Sequence, residues 1–280
     1  MRFLSSRRRH PLAGLVVLLF ALTAVGGLYT ALAPEQATAD NAQTDMVEGG
    51  RQLFIVGCAS CHGLAGQGVS TRQGANYGPS LVGVGAAAVD FQVGTGRMPM
   101  AKVDTQAPRK PPVYNEEETE ALAAYVASLG PGPAIPDDEY LDISDVTDEE
   151  LAEGGAFFRT NCTACHNSVG AGGALPDGRY APPLTDVEAV HIYEAMLTGP
   201  QQMPVFSDEV LTPEDKRNVI AYIKKVESQP TYGGFGMGGI GPVADGVIAW
   251  VVGLGAMVIA AVWIAAHGVR VAKKDEGVQR

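Results

Sequence analysis

Two short stretches of this chain place thiols and an imidazole at fixed spacing: "CASCH", with Cys58, Cys61 and His62, and "CTACH", with Cys162, Cys165 and His166. Three chemistries use such a set. A C-x-x-C pair can work as a disulfide or redox dithiol. Two pairs can gather round one zinc ion, which takes four ligands. Or each C-x-x-C-H can attach a c-type haem. In that case both thiols add to the haem vinyl groups as thioethers, and the histidine supplies the proximal nitrogen to iron. The four cysteines just named are all that the chain contains, so a framework of scattered disulfides is excluded. The motifs stand about 100 residues apart, each within its own copy of a repeat. That favours two covalently bound haem c groups over one shared zinc.

The sixth ligand separates electron transfer from catalysis. An iron held by His and Met is coordinatively full and has a raised potential. Met98 and Met203 each precede a proline, 36 and 37 residues after His62 and His166. Repetition of Met-Pro at nearly equal spacing predicts that both are ligands. Met100 competes with Met98, and Met196, within the helical pattern "VEAVHIYEAML", competes with Met203. The remaining histidines read differently: His191 as a surface or packing residue, with ligation as the alternative, and His10 and His267 as interfacial. Pro79 and Pro182 head the loops after the motifs, where a backbone carbonyl would orient the proximal imidazole. Gly94 and Gly96 are expected to let the backbone run close to a haem edge.

The elements that position these groups form a unit written twice. Gly50, Phe54 and Cys58 repeat as Gly154, Phe158 and Cys162. Spacing of four puts glycine and phenylalanine on one face of a helix ending at the cysteines. The glycine then admits a second helix at close range. "YGPSL" and "YAPPL" follow, then the Met-Pro loops, then the amphipathic patterns "NEEETEALAAYVASL" and "TPEDKRNVIAYIKKV". Asn115 with Glu118 and Thr147 with Glu150 read as capping boxes. Thr212 reads as an N-cap before Pro213 at the first helical position. An insertion, "VDTQAPRKPPVY", separates the first Met loop from its last helix.

The charge is asymmetric. Of 20 Lys/Arg, eight fall in residues 1–33 and 243–280 with only three of the 31 acids, so the body between is more acidic than the net −11. Such a body excludes nucleic acid as a partner and suits a basic docking surface. The flanks are apolar. Residues 11–33 carry no charge and follow "RRRH"; they read as a membrane anchor, with a cleaved signal peptide as the alternative. "VIAWVVGLGAMVIAAVWIAA" precedes Arg270, Lys273 and Lys274, which predicts a second span with a cytoplasmic end.

The division that results is a cytoplasmic basic N-terminus at 1–10, a transmembrane helix or signal anchor at 11–33, and a first cytochrome c domain at 45–130. An acidic, Pro-rich linker at 131–146 leads to a second domain at 147–229. A Gly-rich linker at 230–245 is either a pliable joint or a segment that folds on a partner. A transmembrane helix at 246–267 and a cytoplasmic basic tail at 268–280 complete the chain. The expected fold class is mainly α, with two tandem units that resemble class I cytochrome c domains, flanked by transmembrane helices.

The Gly-x3-Phe-x3-CxxCH helix, the Pro-x-Leu loop, the Met-Pro loop and the Ala-Tyr helix resemble tandem class I cytochromes c. With the flanking apolar segments and the "GGFGMGGIGP" linker, the whole chain resembles the dihaem cytochrome c subunit of the actinobacterial cytochrome bcc complex, a menaquinol–cytochrome c reductase. That resemblance implies an electron-transfer subunit without a catalytic site of its own. Its partners would be a cytochrome b subunit, a Rieske iron–sulfur subunit, an aa-type cytochrome c oxidase and membrane lipid. Electrons would run from the Rieske cluster to the first haem, the second, and the oxidase. The haem domains would lie on the extracytoplasmic side of the plasma membrane, with both termini cytoplasmic. Two alternatives are a dihaem subunit of another membrane oxidase or periplasmic dehydrogenase, and a dihaem peroxidase.

Overall fold

The computed structural model describes residues 13–32, 36–70, 76–229 and 246–278. The basic N-terminus with His10 and the Gly-rich linker 230–245 lie outside the described residues. Helix α1 spans Ala13–Leu32, 20 residues or about 30 Å at 1.5 Å per residue. Helix α2 follows over Gln36–Gly57, and a short turn α3 over Ala59–His62 carries the end of the first motif. A small hairpin pairs β1, Val69–Ser70, with β2, Asn76–Gly78. Helices α4, Gly85–Gly94, and α5, Glu116–Ser128, complete the first unit.

The second unit repeats this order. Helix α6, Asp148–Asn161, leads to the turn α7, Thr163–His166, and to a hairpin of β3, Gly173–Ala174, with β4, Tyr180–Ala181. Helices α8, Ala189–Thr198, and α9, Pro213–Ser228, close it. The C-terminal helix begins at Gly246, runs through a π-helical segment at Ala249–Leu254, and continues as α10, Gly255–Val278.

Glycine decides how each unit packs. A Cβ at Gly50 would overlap the Ala121 carbonyl of α5, and one at Gly154 would overlap the Asn218 carbonyl of α9. The backbones of α2 and α5, and of α6 and α9, therefore meet at distances no side chain permits. Beside each contact a phenylalanine fills the core: Phe54 and Phe158 are both 1% exposed. Phe54 packs on Tyr125 with ring centroids 5.1 Å apart, and Phe158 packs on Tyr222 at 5.5 Å. Burying one such aromatic contributes about 1.5–3 kcal/mol.

The caps form as the sequence predicts. Asn115 with Glu118, Thr147 with Glu150, and Thr212 with Asp215 each make a reciprocal capping box, and Pro213 takes the first turn of α9. Two separate apolar cores result, one around Phe54, Leu122 and Val126, the other around Phe158, Ile192 and Ile220.

The segment between the units is not free chain. Pro133 accepts from the Ala87 N–H at 3.2 Å, on the first unit. Further on, Arg217 of α9 donates to the Asp142 carbonyl at 2.6 Å and pairs with Asp145, and Tyr140 packs against the second core. The units also touch directly, α4 against α8.

Among the described residues, one helix is long and apolar enough to cross a membrane, Gly246–His267, with none of it buried. In α1 the apolar run is shorter, Ala13–Tyr29, and its large side chains are also exposed. His267 lies against Trp263, with ring centroids 4.6 Å apart.

Candidate haem sites

Each motif is held at the same place by the same bonds. Helix α2 ends with the Cys58 N–H on the Phe54 carbonyl at 2.8 Å; α6 ends with Cys162 on Phe158 at 2.9 Å. The chain then turns, so that His62 and His166 donate their amides to the Cys58 and Cys162 carbonyls at 2.9 and 2.8 Å. The hairpins close over the turns. Gly68 donates to the His62 carbonyl at 2.7 Å, and Gly172 to that of His166 at 2.9 Å.

The imidazoles are oriented as the proline loops predict. His62 Nδ1 lies 2.8 Å from the Pro79 carbonyl, and His166 Nδ1 lies 3.0 Å from that of Pro182. A carbonyl only accepts, so each bond puts the proton on Nδ1 and leaves the Nε2 lone pair for a metal. Both rings are buried, and burial holds the His166 pKa below the ordinary histidine value. A neutral, singly protonated imidazole is the form that ligates iron.

The four cysteines are free thiols. Burial, with the neighbouring cysteine adding to it, pushes Cys58 and Cys162 up to about 11, so both stay protonated near neutrality. The motifs do not gather into one cluster, which removes the shared zinc site. Among the described residues, the one group of three or more His, Cys, Asp or Glu side chains close enough to chelate an ion is Asp90, His191 and Glu194, away from both motifs. Paired thiols and an aimed imidazole fit a covalently attached haem. In the second unit a small, mostly apolar hollow beside Cys162 is lined by Phe157, Asn161, Met196, Phe206, Leu211 and Val219.

Met98 packs half-buried on the first core, and its amide donates to the Gln92 carbonyl at 2.8 Å; Met100 is not part of that core. Met203 packs half-buried on the second core. Met196 lies within α8 and is 4% exposed. Counting back from Thr95-Gly96 and from Thr198-Gly199, Met196 stands where the first unit has Val93. Met196 itself is buried in the second core, among Ile192, Leu211 and Val219.

The insertion between Met98 and α5 does two things that its sequence does not announce. Lys110 folds back and donates to the carbonyls of Gly96, Arg97 (3.2 Å) and Pro99 (2.9 Å), gripping the loop that carries Met98. The same segment reaches the second unit. Gln106 donates to the Tyr180 carbonyl at 2.7 Å and accepts from its amide at 3.0 Å, Ala107 donates to Gln201 at 3.3 Å, and Arg109 donates to the Asp186 carbonyl at 3.1 Å.

Gly94 and Gly96 have close neighbours other than the haem edge expected of them. A Cβ on Gly94 would stand 3.1 Å from His191 Nε2, and one on Gly96 would overlap the Lys110 carbonyl. His191 sits between the units beside Asp90, with Nε2 3.9 Å from Oδ2.

Residues 47–130 match the family described as "Cytochrome c", and residues 149–223 match "Cytochrome C oxidase, cbb3-type, subunit III". Several curated relatives carry the name "Cytochrome bc1 complex cytochrome c subunit". That of Mycobacterium bovis is 44% identical over 266 residues, covering 93% of each chain. That of Corynebacterium diphtheriae is 44% identical, covering 91% of this chain and 94% of its own. That of Mycobacterium leprae is 42% identical, covering 90% of this chain and 87% of its own.

Proposed function

The chain belongs to the family of cytochrome c subunits of the cytochrome bc1 complex, and from that premise we propose that it is a membrane-anchored dihaem carrier linking a quinol-oxidising core to a terminal oxidase. The observation that carries this reading is the recurrence, at both motifs, of two free thiols beside an imidazole whose Nδ1 is held by a proline-loop carbonyl.

Cys58 and Cys61 would attach one haem c, with His62 and Met98 as its axial ligands. Cys162 and Cys165 would attach another, with His166 and Met203. Bound haem supplies one-electron exchange between ferrous and ferric iron, at a potential raised by the methionine. The chain's own work is to hold and orient. The thioether cysteines anchor, Pro79 and Pro182 fix the imidazoles, and Lys110 steadies the Met98 loop. With both irons fully coordinated, the chain has no catalytic residues, and quinol oxidation belongs to the partner subunits.

The two units are tandem class I cytochrome c domains. The apolar, exposed faces of α1 and of the Gly246–His267 helix support two membrane spans. The basic residues in the sequence outside them, Arg7–Arg9 and Arg270, Lys273 and Lys274, support cytoplasmic termini. The partners are a cytochrome b subunit and a Rieske iron–sulfur subunit on the donor side and an aa-type oxidase on the acceptor side. Tethering the domains keeps donor and acceptor at high effective concentration.

Extraction of membranes in mild detergent tests this. The chain should co-purify with cytochrome b, Rieske and oxidase subunits, and its intact mass should carry two haems. Co-purification with a dehydrogenase, or peroxide turnover by the purified protein, would overturn the reading.

A further inference from the structure

We propose that Asp90, His191 and Glu194 form a binding site for a divalent transition-metal ion of zinc type, clamping the two helical units to each other. The site is separate from both haem motifs and does not depend on the haem reading. Asp90 stands on α4 of the first unit. His191 and Glu194 stand one turn apart on α8 of the second, and α4 and α8 are the helices through which the units touch. One potential ligand atom from each of the three side chains lies within 4.8 Å of the other two.

Glu194 supplies the second, independent sign of a ligand. Its side chain is fully buried, at 0% exposure, and neither carboxylate oxygen has a hydrogen-bond donor among the described residues. A buried carboxylate without a partner costs several kcal/mol or takes up a positive charge. Burial, then the charge of the facing Asp90 carboxylate, push its pKa up to about 10, and in its protonated form Glu194 can donate to Asp90.

The protein cations nearby are engaged elsewhere. The Arg97 guanidinium lies over the Phe91 ring, 4.5 Å from its centroid. Arg109 donates to the Asp186 carbonyl. Lys216, also fully buried, is held by Asp208 and the Leu211 carbonyl. The charge that Glu194 requires must therefore come from a proton or an added cation.

The donor set selects the cation. One imidazole nitrogen and two carboxylates suit zinc and its first-row neighbours. Calcium asks for six to eight oxygens, and copper(I) for sulfur. His191 and Glu194, three residues apart, share one face of their helix towards the Asp90 carboxylate on the facing one, though in the reverse order to the Glu-x-x-His pairs of carboxylate-bridged bundle sites. Zinc–ligand bonds of about 2 Å bring ligand atoms roughly 3.3 Å apart. Binding would draw the three side chains inwards from their present spacing, displacing the proton from Glu194. Gly94, one turn beyond Asp90, makes room for the imidazole: its Cβ would stand 3.1 Å from Nε2.

The test uses the whole complex, extracted in chelator-free detergent, with metal content measured per chain by elemental mass spectrometry. Wild type should hold one more equivalent of a zinc-type ion than Glu194→Gln or Asp90→Asn, since metals elsewhere in the complex cancel in the difference. Unchanged haem spectra would certify that the variants fold. In a second arm, chelator-treated wild type is offered zinc chloride alone and should take up one equivalent, which protects the 101–113 segment from proteolysis. That arm needs no variant, so it decides the matter even where one fails to assemble. Equal metal content in wild type and variants, or no uptake by the depleted wild type, would overturn the proposal and leave a proton shared between Asp90 and Glu194.

Discussion

Gly50 and Ala121 meet backbone to backbone, in a contact so close that a methyl group on Gly50 would overlap the Ala121 carbonyl oxygen. Gly154 and Asn218 repeat it in the second unit. Gly50→Ala and Gly154→Ala should each force the paired helices apart, at a cost of about 3 kcal/mol, the upper end for overpacking. Thermal unfolding followed by circular dichroism measures this. Gly49→Ala, with open space around its Cβ, should be neutral or slightly stabilising as a helix substitution. Equal behaviour of Gly49 and Gly50 variants would refute the close-approach account.

Met98→Leu should remove the sulfur-to-iron charge-transfer band of one haem and turn that iron high-spin, with the other haem unchanged. Met100→Leu should leave both intact, because Met100 stands outside the first core. In the second unit, Met203→Leu should change the spectrum and Met196→Leu should not, since Met196 replaces Val93 of the first unit in a packing position. Low-temperature electron paramagnetic resonance separates the four cases.

Lys110→Ala removes three hydrogen bonds from the loop that carries Met98. Bonds from a charged donor contribute about 1.5–3 kcal/mol each at most. The expected result is a weakened Met98 ligation, read as a lower midpoint potential at the first haem and none at the second. An equal change at both haems would mean that Lys110 acts on global stability instead.

Lys216 is fully buried, with Asp208 2.7 Å away and half exposed. Asp208→Asn leaves the ammonium with a weaker partner and should destabilise the second unit by about 2 kcal/mol. Lys216→Met, which keeps volume and removes the charge, should cost less than Asp208→Asn. Chemical denaturation of the two variants gives the comparison, and the opposite order would show that the pair itself, not the avoidance of a lone buried charge, stabilises the fold.

Gln106 joins the insertion of the first unit to Tyr180 of the second through a donated and an accepted bond. Gln106→Ala should loosen the contact between units without unfolding either. Faster hydrogen exchange at residues 101–113 and 180, with both haem spectra unchanged, is the expected signature.

Much of this architecture is local and therefore legible in the chain. The C-x-x-C-H spacing sets which atoms can face one haem, because covalent geometry over five residues leaves little choice. The Gly-x3-Phe-x3-Cys pattern predicts a helix face, and the structure puts both phenylalanines in a core beside a glycine contact. Capping boxes follow from residue types three apart, and they form at each of the predicted positions. Even the carbonyls that orient His62 and His166 follow from the placement of Pro79 and Pro182.

What the chain does not disclose on its own is long-range. Lys110 reads as one more basic residue in an insertion until folding lays it over the carbonyls around Met98. His191 reads as a packing residue, and Glu194 as one polar position in an apolar helix. They acquire meaning when α8 meets α4, bringing Asp90 beside residues more than 100 positions away. Periodicity reports which face of a helix is buried, but not what the neighbouring unit places against it. The electrostatic demand of a buried, unpartnered carboxylate arises only when two units close over it and exclude water.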